Sequence, residues 1–343
     1  MMAVATIATE PTVAPEHALA RQRLWEPSEV VSRTVVLMGG RVGIHLQVSD
    51  ESAVPDAAAT ADRILRRIAA WANRLTRFTS TSELSRLNRD PRVRVPVGPT
   101  LAAVLDWGRG AEGLTDGIVD IGLLDARLAA EAGSGDGEAV GMSPLRASLA
   151  ARSWSFDRRA RGAIVRRPVW LRFDLDGIGK GWLADRALER LGGYAAAVVD
   201  ADGDVAIRLD PGASWSFGVA DPRRDGHDLA ILRLAPRDGE RAHREGRFGL
   251  ATSGTSVHRW GAGTGVAHHL IDPRTGRSAD TDVVQATVLA GTAREAEALA
   301  KSAVILGVGA GYDLLDRMGV HGAILLTNRD ELIIHPSTLR WLA

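Results

Sequence analysis

A glycine-rich segment at residues 251–276 limits the structures open to this chain. It combines a turn of small residues at 252–254 with the dipeptide Asp272-Pro273 and three histidines, His258, His268 and His269. Glycine lets the backbone approach other groups closely, and a residue before proline is held in an extended or turn conformation. A core helix or strand does not have this composition. A loop that carries imidazole, hydroxyl and carboxylate groups together indicates a functional site.

Composition bounds the class of protein. The 343 residues are 45% hydrophobic, which is enough for a substantial core in one large domain or two. The formal net charge is zero, so electrostatics do not favour nucleic acid or an anionic membrane as a partner. The chain has no cysteine, which excludes a disulfide framework, a thiolate nucleophile and a cysteine metal site.

Hydropathy gives an expectation about location. No run of about 18 apolar residues is present, so we expect no membrane span. The first 27 residues have no apolar core of signal-peptide length. By elimination, we expect a cytoplasmic protein.

Lysine is rare in this chain. Of 42 basic residues only Lys180 and Lys301 are lysines, and the rest are arginines. The arginine bias is typical of a genome with a particular base composition. Lysine is a compact point charge that arginine does not mimic, so these two positions are candidates for a specific role.

Hydrophobic periodicity predicts one α+β unit at residues 31–343, after a disordered or loosely packed tail at 1–30. A polar stretch at 131–146 predicts a surface loop, and 77–88 offers several Ser/Thr helix caps. A strand with a bulge or a hairpin is predicted around Gly39-Gly40, and a closing hairpin at 321–335. Helices are predicted at 55–76, 98–112, 178–192, 292–306 and 310–318, and strands at 163–175, 195–208, 215–221, 229–234 and 283–290.

The segment FDLDGIGKGWLADRAL at 173–188 leads through glycines into a predicted helix. Amides at a helix N-terminus together with Lys180 suit a phosphate group. This is not a Walker loop, because the upstream glycine is missing and Gly181 replaces the Ser/Thr that would hold magnesium. A capped strand–turn–helix with a solvated lysine is the alternative.

Several segments together resemble the ApbE family, the FAD:protein FMN transferases. HHLIDPRTG at 268–276 resembles the family signature H-x-x-D-P-x-T-G, and 174–185 resembles D-x-x-x-x-G-K-G-x-x-x-D. SELSRLN at 82–88 resembles S-E-L-S-R-x-N. Order and spacing agree from about residue 34 to 335. Family members cleave the pyrophosphate of FAD and attach FMN to a threonine of a partner flavoprotein, releasing AMP.

The resemblance implies a fold and a set of site residues. The fold is α+β, with a bent mixed sheet flanked by helices in a two-lobed, T-fold-like domain. FAD is the substrate and Mg²⁺ the family's metal. The implied cofactor-binding residues are Met38, Phe78, Ile118, Val119, Asp120, Asp174, Lys180 and Ser253. The implied metal positions are Gly177, Glu297, Ala300 and Lys301.

The histidines of the glycine-rich segment differ in the roles expected of them. His269 is the candidate general base, and Asp272 is expected to orient or contact the substrate. His268 and His258 are weaker candidates that suit a structural or solvent role. A hydrolase using Ser253 is disfavoured, since the surrounding TSGTS lacks the G-x-S-x-G turn.

The sequence departs from the family pattern at the metal positions. Where the usual form is A-D-A-L-A-T-A, Glu297 replaces aspartate and Lys301 replaces threonine. Magnesium prefers oxygen ligands, and an ammonium group repels a divalent cation. One hypothesis is that the Lys301 ammonium partly replaces the metal. Others are a metal held by Glu297, the carbonyls of Gly177 and Ala300 and FAD phosphates, or an ordinary i,i+4 helix pair.

Smaller departures occur elsewhere. Gly40 replaces the threonine of the family's M-G-T, Asp202 stands where the G-G-D turn has glycine, and Val219 replaces isoleucine in W-x-x-x-I-x-D-P. Three functions therefore remain open: transfer of FMN to a partner protein, binding of FAD without transfer, and hydrolysis of FAD to FMN and AMP. Asp174, His269 and Asp272 favour chemistry over binding alone.

Overall fold

A computed structural model describes residues 5–7, 30–48, 51–132, 153–236, 246–256, 259–260 and 267–343. Within these ranges the helices are α1 (Val54–Leu75), α2 (Glu83–Arg89), α3 (Pro99–Leu114), α4 (Leu124–Glu131), α5 (Gly179–Leu188) and α6 (Ala293–Arg317). The strands are β1 (Ala5–Ile7), β2 (Val30–Leu37), β3 (Gly40–Gln47), β4 (Arg94–Val97), β5 (Ser155–Arg159), β6 (Gly162–Arg166), β7 (Ala196–Ala201), β8 (Asp204–Leu209), β9 (Trp215–Ala220), β10 (Asp228–Leu234), β11 (Arg247–Gly254), β12 (Arg259–Trp260), β13 (Ala267–His268), β14 (Ile271–Asp272), β15 (Arg277–Ser278), β16 (Val283–Ala290), β17 (Gly322–Thr327) and β18 (Leu332–Ile334).

An eight-stranded sheet forms the centre, in the order β18-β17-β16-β11-β8-β7-β3-β2. The α+β class is confirmed. Each pairing in this sheet is antiparallel, rather than a mixture of parallel and antiparallel strands. Three-stranded sheets β1-β9-β10 and β4-β6-β5 and two short ribbons, β12-β13 and β14-β15, complete the described strands.

Helices α1, α5 and α6 cover one face of the central sheet. The predicted apolar stripe of α1 is confirmed, since Ile64, Leu65 and Ile68 pack against Ile44 and Val199. Burial of each such side chain contributes about 1.5–3 kcal/mol. The sheet β1-β9-β10 covers the opposite face, where Phe217 and Leu232 join a core cluster with strand residues of β7 and β8.

A separate core cluster joins the end of α1, helices α2 and α3 and the sheet β4-β6-β5. Its members include Leu84, Leu101, Val165 and Phe173. Residues 174–178 form the turn that leads from this cluster to α5. This turn therefore lies where the separate cluster meets the core beneath α1 and α5.

The strand predicted at 163–175 ends at Arg166. The buried Arg167 guanidinium then donates hydrogen bonds to five carbonyls, those of Leu87, Asp90, Pro168, Val169 and Leu171. Three of these carbonyls belong to the segment that follows β6, so the guanidinium holds this irregular segment against the residues at 87–90. Burial lowers the pKa of Arg167.

Other expectations are confirmed in outline. The hairpin at Gly39-Gly40 is present, with a turn at Met38 and Gly39, whose φ values are 56° and 81°. The strand predicted at 195–208 is the hairpin β7-β8. The two helices predicted at 292–306 and 310–318 form one element, which is interrupted at Gly307 with φ 79° and ψ 177°.

Helix α6 is long and apolar enough, by length and composition, to cross a membrane. However, 61% of its apolar window is buried, which is typical of a core helix. The predicted tail at 1–30 lies outside the described residues except for β1, which pairs with β9, and Val30, which begins β2. Most of the predicted loop at 131–146 also lies outside them.

Candidate functional site

The irregular segment 173–178 is held from two sides. Asn88, the last residue of SELSRLN, both donates to the Phe173 carbonyl and accepts from the Phe173 amide, each at 2.8 Å. The Asp174 amide donates to the carbonyl of Ile121 at 2.8 Å. Ser82 caps α2 by accepting from the Ser85 amide at 2.9 Å, which fixes the helix that carries Asn88. The SELSRLN motif therefore positions the backbone next to Asp174.

Lys180, in the first turn of α5, is buried and forms an ion pair with Asp202 at 2.8 Å. Burial lowers the pKa of Lys180, but the carboxylates of Asp204, Asp202 and Asp176 outweigh it and raise the pKa above its usual value. The alternative of a solvated lysine is wrong, because Lys180 is buried and its ammonium group is bound to a protein carboxylate. Binding of the cofactor by Lys180 stays a prediction.

Asp202 reaches Lys180 from a strained turn. It has φ 59°, in the left-handed region that aspartate tolerates better than most residues. Its carboxyl group fills the space where a Cβ on Gly40 would lie, and it accepts from the Arg41 amide at 3.3 Å. The hairpin β2-β3 and the turn between β7 and β8 therefore meet at these two residues.

The N-terminus of α6 is fixed to α5 by Asp185. The two carboxylate oxygens of Asp185 accept from the amides of Ala293 and Arg294, at 3.0 and 3.1 Å. Burial raises the pKa of Asp185 to about 6. The helices approach so closely that a Cβ on Gly181 would lie 2.6 Å from the Ala293 carbonyl oxygen. Asp185 ends the glycine–lysine motif, and its structural role was not predicted.

One turn along α6, the buried Glu297 accepts from the Gly181 amide at 2.9 Å. Burial raises the pKa of Glu297 to about 7, although Lys301 acts in the opposite direction. The Gly181 amide at the start of α5 is therefore already bound to a side chain, and it is not available to a phosphate group.

One helical turn further along α6, Lys301 lies against the turn at 174–178 that precedes α5. A Cβ on Gly177 would overlap with the Lys301 ammonium nitrogen, so the ammonium lies directly against the Gly177 backbone. The charge of Lys301 favours the ionised forms of Asp176, Asp204 and Glu297, although burial keeps the pKa values of Asp204 and Glu297 above their usual values. The two lysines of the chain thus lie at one carboxylate cluster, which consists of Asp176, Asp202, Asp204 and Glu297.

Asp176 is the solvent-facing member of this cluster, with 37% of its side chain exposed. Its partial burial raises its pKa, but the charges of Lys180, Arg127, Lys301 and His269 lower it below the usual value. His269 is therefore within electrostatic range of the same carboxylate as both lysines. Asp176, His269 and Lys301, which are far apart in the sequence, are therefore close together in the fold.

Arg127 connects the glycine-rich segment at 251–276 to Asp176. Its guanidinium donates to the carbonyl of His269 at 3.1 Å and to Glu131 at 2.9 Å, and lies 3.6 Å from Asp176. It also lies 5.0 Å from the ring centre of Trp260. The contribution of Arg127 was not predicted, since a single arginine among many carries no sequence signal.

Asp174 lies in a pocket of arginines. Arg77 is 3.9 Å away and also lies 4.2 Å from the ring centre of Phe78. Burial and the neighbouring Asp176 raise the pKa of Asp174, while Arg77 and Arg127 lower it. Phe78 is 76% exposed, so a large aromatic surface beside Asp174 is open to solvent.

The adjacent histidines have different environments. His268 is buried; its Nε2 donates to the Ala279 carbonyl at 2.9 Å, and its Nδ1 accepts from the Leu270 amide at 3.3 Å. Burial lowers the pKa of His268. Both ring nitrogens are thus used, which supports the structural role suggested for His268. His258 lies outside the described residues.

Asp272 is buried and bound to Arg274. It accepts from the Arg274 backbone amide at 2.8 Å and from Nε and Nη2 at 2.9 and 2.8 Å. Its own carbonyl accepts from the Gly276 amide at 2.8 Å, which closes the turn. In this structure the Asp272 carboxylate stabilises the loop that follows His269.

The remaining expected cofactor residues are spread over different environments. Ile118 and Val119 are buried in two core clusters, so contacts from them to a ligand would come from backbone atoms. Asp120 accepts from the Gly122 amide at 2.7 Å. Met38 is partly buried between two clusters, and Ser253 lies on β11 opposite Ala286.

The expected magnesium site does not have the groups that magnesium requires. In the described part of the chain, no three His, Asp or Glu side chains are grouped to hold a metal ion. Of the expected ligands, Glu297 has one of its two oxygens bound to an amide, and Lys301 offers an ammonium group in place of an oxygen. The residues present do not fit a divalent cation.

Comparison with known proteins gives consistent matches. A protein from Klebsiella pneumoniae named FAD:protein FMN transferase is 23% identical over 321 residues, covering 92% of this chain and 95% of that protein. One of the same name from Treponema pallidum is 33% identical over 150 residues, but the match covers only 40% of this chain and 38% of that protein.

Solved structures show the same fold. The flavin transferase ApbE from Vibrio cholerae matches with a TM-score of 0.69 and 21% identity, over 92% of this chain and all of that one. The ApbE protein from Thermotoga maritima matches with a TM-score of 0.72 and 20% identity, again over 92% of this chain and all of that one. The model of the ApbE family matches residues 38–325, which include every segment of the site described above. The chain therefore belongs to the ApbE family.

Proposed function

We propose that this protein transfers the FMN half of FAD to a threonine hydroxyl of a partner flavoprotein and releases AMP. Its family and the names of its relatives support this activity. The observation that carries it is the convergence of Asp174, Asp176, Lys301 and His269 around the turn that begins α5.

The charges of this turn suit a flavin dinucleotide. Lys301 and Arg127 provide positive charge near Asp176 for a pyrophosphate. Phe78 offers an exposed aromatic face for the flavin ring next to Asp174 and Arg77. Catalysis of phosphoryl transfer depends on positioning and charge neutralisation, which are the properties these residues provide.

The proposed reaction is a displacement at phosphorus. The threonine oxygen forms a bond to the phosphorus of the FMN half, and the bond from that phosphorus to the bridging oxygen breaks. AMP leaves with the bridging oxygen. The hydroxyl proton goes to a base, for which His269 is our candidate, while Asp272 and Arg127 position its backbone.

The test uses the full chain with FAD and an acceptor domain that carries a target threonine. Covalent FMN is followed by the intact mass of the acceptor, and AMP by chromatography. We expect one AMP for each FMN attached, and no attachment when the threonine is replaced by alanine. Equal release of AMP and free FMN with or without acceptor would instead identify an FAD pyrophosphatase. Tight FAD binding without AMP would identify a binding module.

A further inference from the structure

We propose that the Lys301 ammonium is the resident cation of this site, so that the protein binds FAD and acts on it without a divalent metal ion. This inference rests on the proposed function for its catalytic part only. Its binding part, which concerns Mn²⁺ and FAD, holds or fails independently of whether FMN is transferred.

The position of Lys301 is the first argument. Its ammonium lies against the backbone of Gly177, because a side chain there would overlap with it. Gly177 and Lys301 are two of the positions at which the family resemblance placed metal ligands. A cation is therefore already present at this point of the site, supplied by the chain itself.

The surrounding charges are the second argument. Asp176, Asp204 and Glu297 all lie within electrostatic range of Lys301, although burial keeps the pKa values of Asp204 and Glu297 above their usual values. Lys180 is bound to a fourth carboxylate, Asp202, at 2.8 Å. A divalent ion would have to enter beside a fixed ammonium group, whose Coulomb repulsion offsets the attraction of the carboxylates, and one of these carboxylates, Asp202, is already paired with Lys180.

The bonding of Glu297 is the third argument. This carboxylate accepts from the Gly181 amide at the start of α5 and is buried. This hydrogen bond uses Oε2 and holds α5 against α6, so only Oε1 of Glu297 is left for a metal. Lysine and glutamate together therefore keep the site closed to a divalent ion, while the ammonium, on a half-buried side chain, remains able to meet an anionic ligand.

The first experiment measures metal binding directly. The wild-type protein is titrated with Mn²⁺, alone and with FAD, and free Mn²⁺ is followed by electron paramagnetic resonance. We expect no bound Mn²⁺ beyond that bound by the same concentration of FAD in buffer. One tightly bound Mn²⁺ per protein, with or without FAD, would overturn the proposal.

The second experiment measures FAD affinity by flavin fluorescence in the presence of EDTA. Lys301→Gln removes the charge but keeps much of the side-chain length, and we expect it to weaken FAD binding about 10- to 100-fold. The matched control is Arg186→Gln, which removes an exposed cation of α5 that is paired with Glu189. Unchanged affinity in the Lys301 variant, with circular dichroism confirming its fold, would overturn the proposal.

The third experiment addresses the reaction. In the acceptor assay, wild-type transfer is expected to be unaffected by EDTA, and loss of transfer on chelation would overturn the catalytic part. If no FMN is transferred under any condition, the proposed function fails, whereas the Mn²⁺ and FAD measurements still decide the role of Lys301.

Discussion

The carboxyl group of Asp202 occupies the space into which a side chain at Gly40 would point. These residues are the two positions where the hairpins β2-β3 and β7-β8 depart from the family pattern. One departure removes a threonine side chain, and the other adds a carboxylate that binds the buried Lys180. The two changes are therefore parts of one local arrangement.

This relationship predicts non-additive mutations. Gly40→Thr alone is expected to destabilise the protein by about 1–3 kcal/mol, because the new side chain overlaps with Asp202. In combination with Asp202→Gly, most of this overlap is removed. Urea unfolding of the two single variants and the double variant should give a coupling energy of about 0.5–3 kcal/mol that favours the double variant. Additive losses would show that the two sites are independent.

Much of the fold could be predicted from periodicity. The stripe of α1 and the break near Gly307 follow directly from apolar spacing and glycine. The hydrogen bonds that hold the chain after β6 could not be predicted, since they join Arg167 to five carbonyls that come together only in the folded chain. Local sequence has no signal for a hydrogen-bond set that spans 80 residues.

The candidate site, like the fold, could be predicted from the sequence only in part. The resemblance to the ApbE family implied site roles for Asp174, Glu297, Lys301 and His269, and the structure brings them to one turn. It did not identify Arg127, because the contacts that give that residue a role are tertiary. Phosphate binding by Lys180 was predicted from its helix start, whereas tertiary structure supplies it with carboxylate partners.

Asp200 provides a test of the electrostatics. Burial, together with nearby Asp202, raises its pKa from 3.8 to about 7, although it accepts from the Gly203 amide at 2.7 Å. Because the folded pKa is the higher one, its contribution to stability is complete below about pH 4 and is lost as the pH rises to about 7.

Asp200→Asn should remove this pH dependence while keeping an acceptor for the Gly203 amide. We expect the variant to gain about 1–3 kcal/mol over wild type between pH 4 and pH 7, which allows for partial solvent access. The measurement is the free energy of unfolding in urea at several pH values. A difference that stays constant across this range would contradict the raised pKa.

The neighbouring histidines should separate by phenotype. His268→Ala leaves the Ala279 carbonyl and the Leu270 amide without a partner, and should cost about 1–3 kcal/mol of stability. His269→Ala should slow FMN transfer about 100- to 10,000-fold, the contribution typical of a general base, with little loss of stability. Thermal unfolding and single-turnover transfer measure the two effects, and the opposite assignment of phenotypes would refute these roles.

Asp185 should connect the stability of α6 to the geometry of the site. Asp185→Ala removes the acceptors for the Ala293 and Arg294 amides, and should cost about 1–2 kcal/mol, as for other lost helix caps. Because the start of α6 then loosens against Gly181, the Lys301 ammonium is held less firmly at Gly177, and FAD affinity should fall as well. Asp185→Asn keeps one acceptor and should recover part of both losses. The FAD affinity distinguishes this role from a purely structural one: a variant that is destabilised but binds FAD as tightly as wild type would show that the cap does not position Lys301.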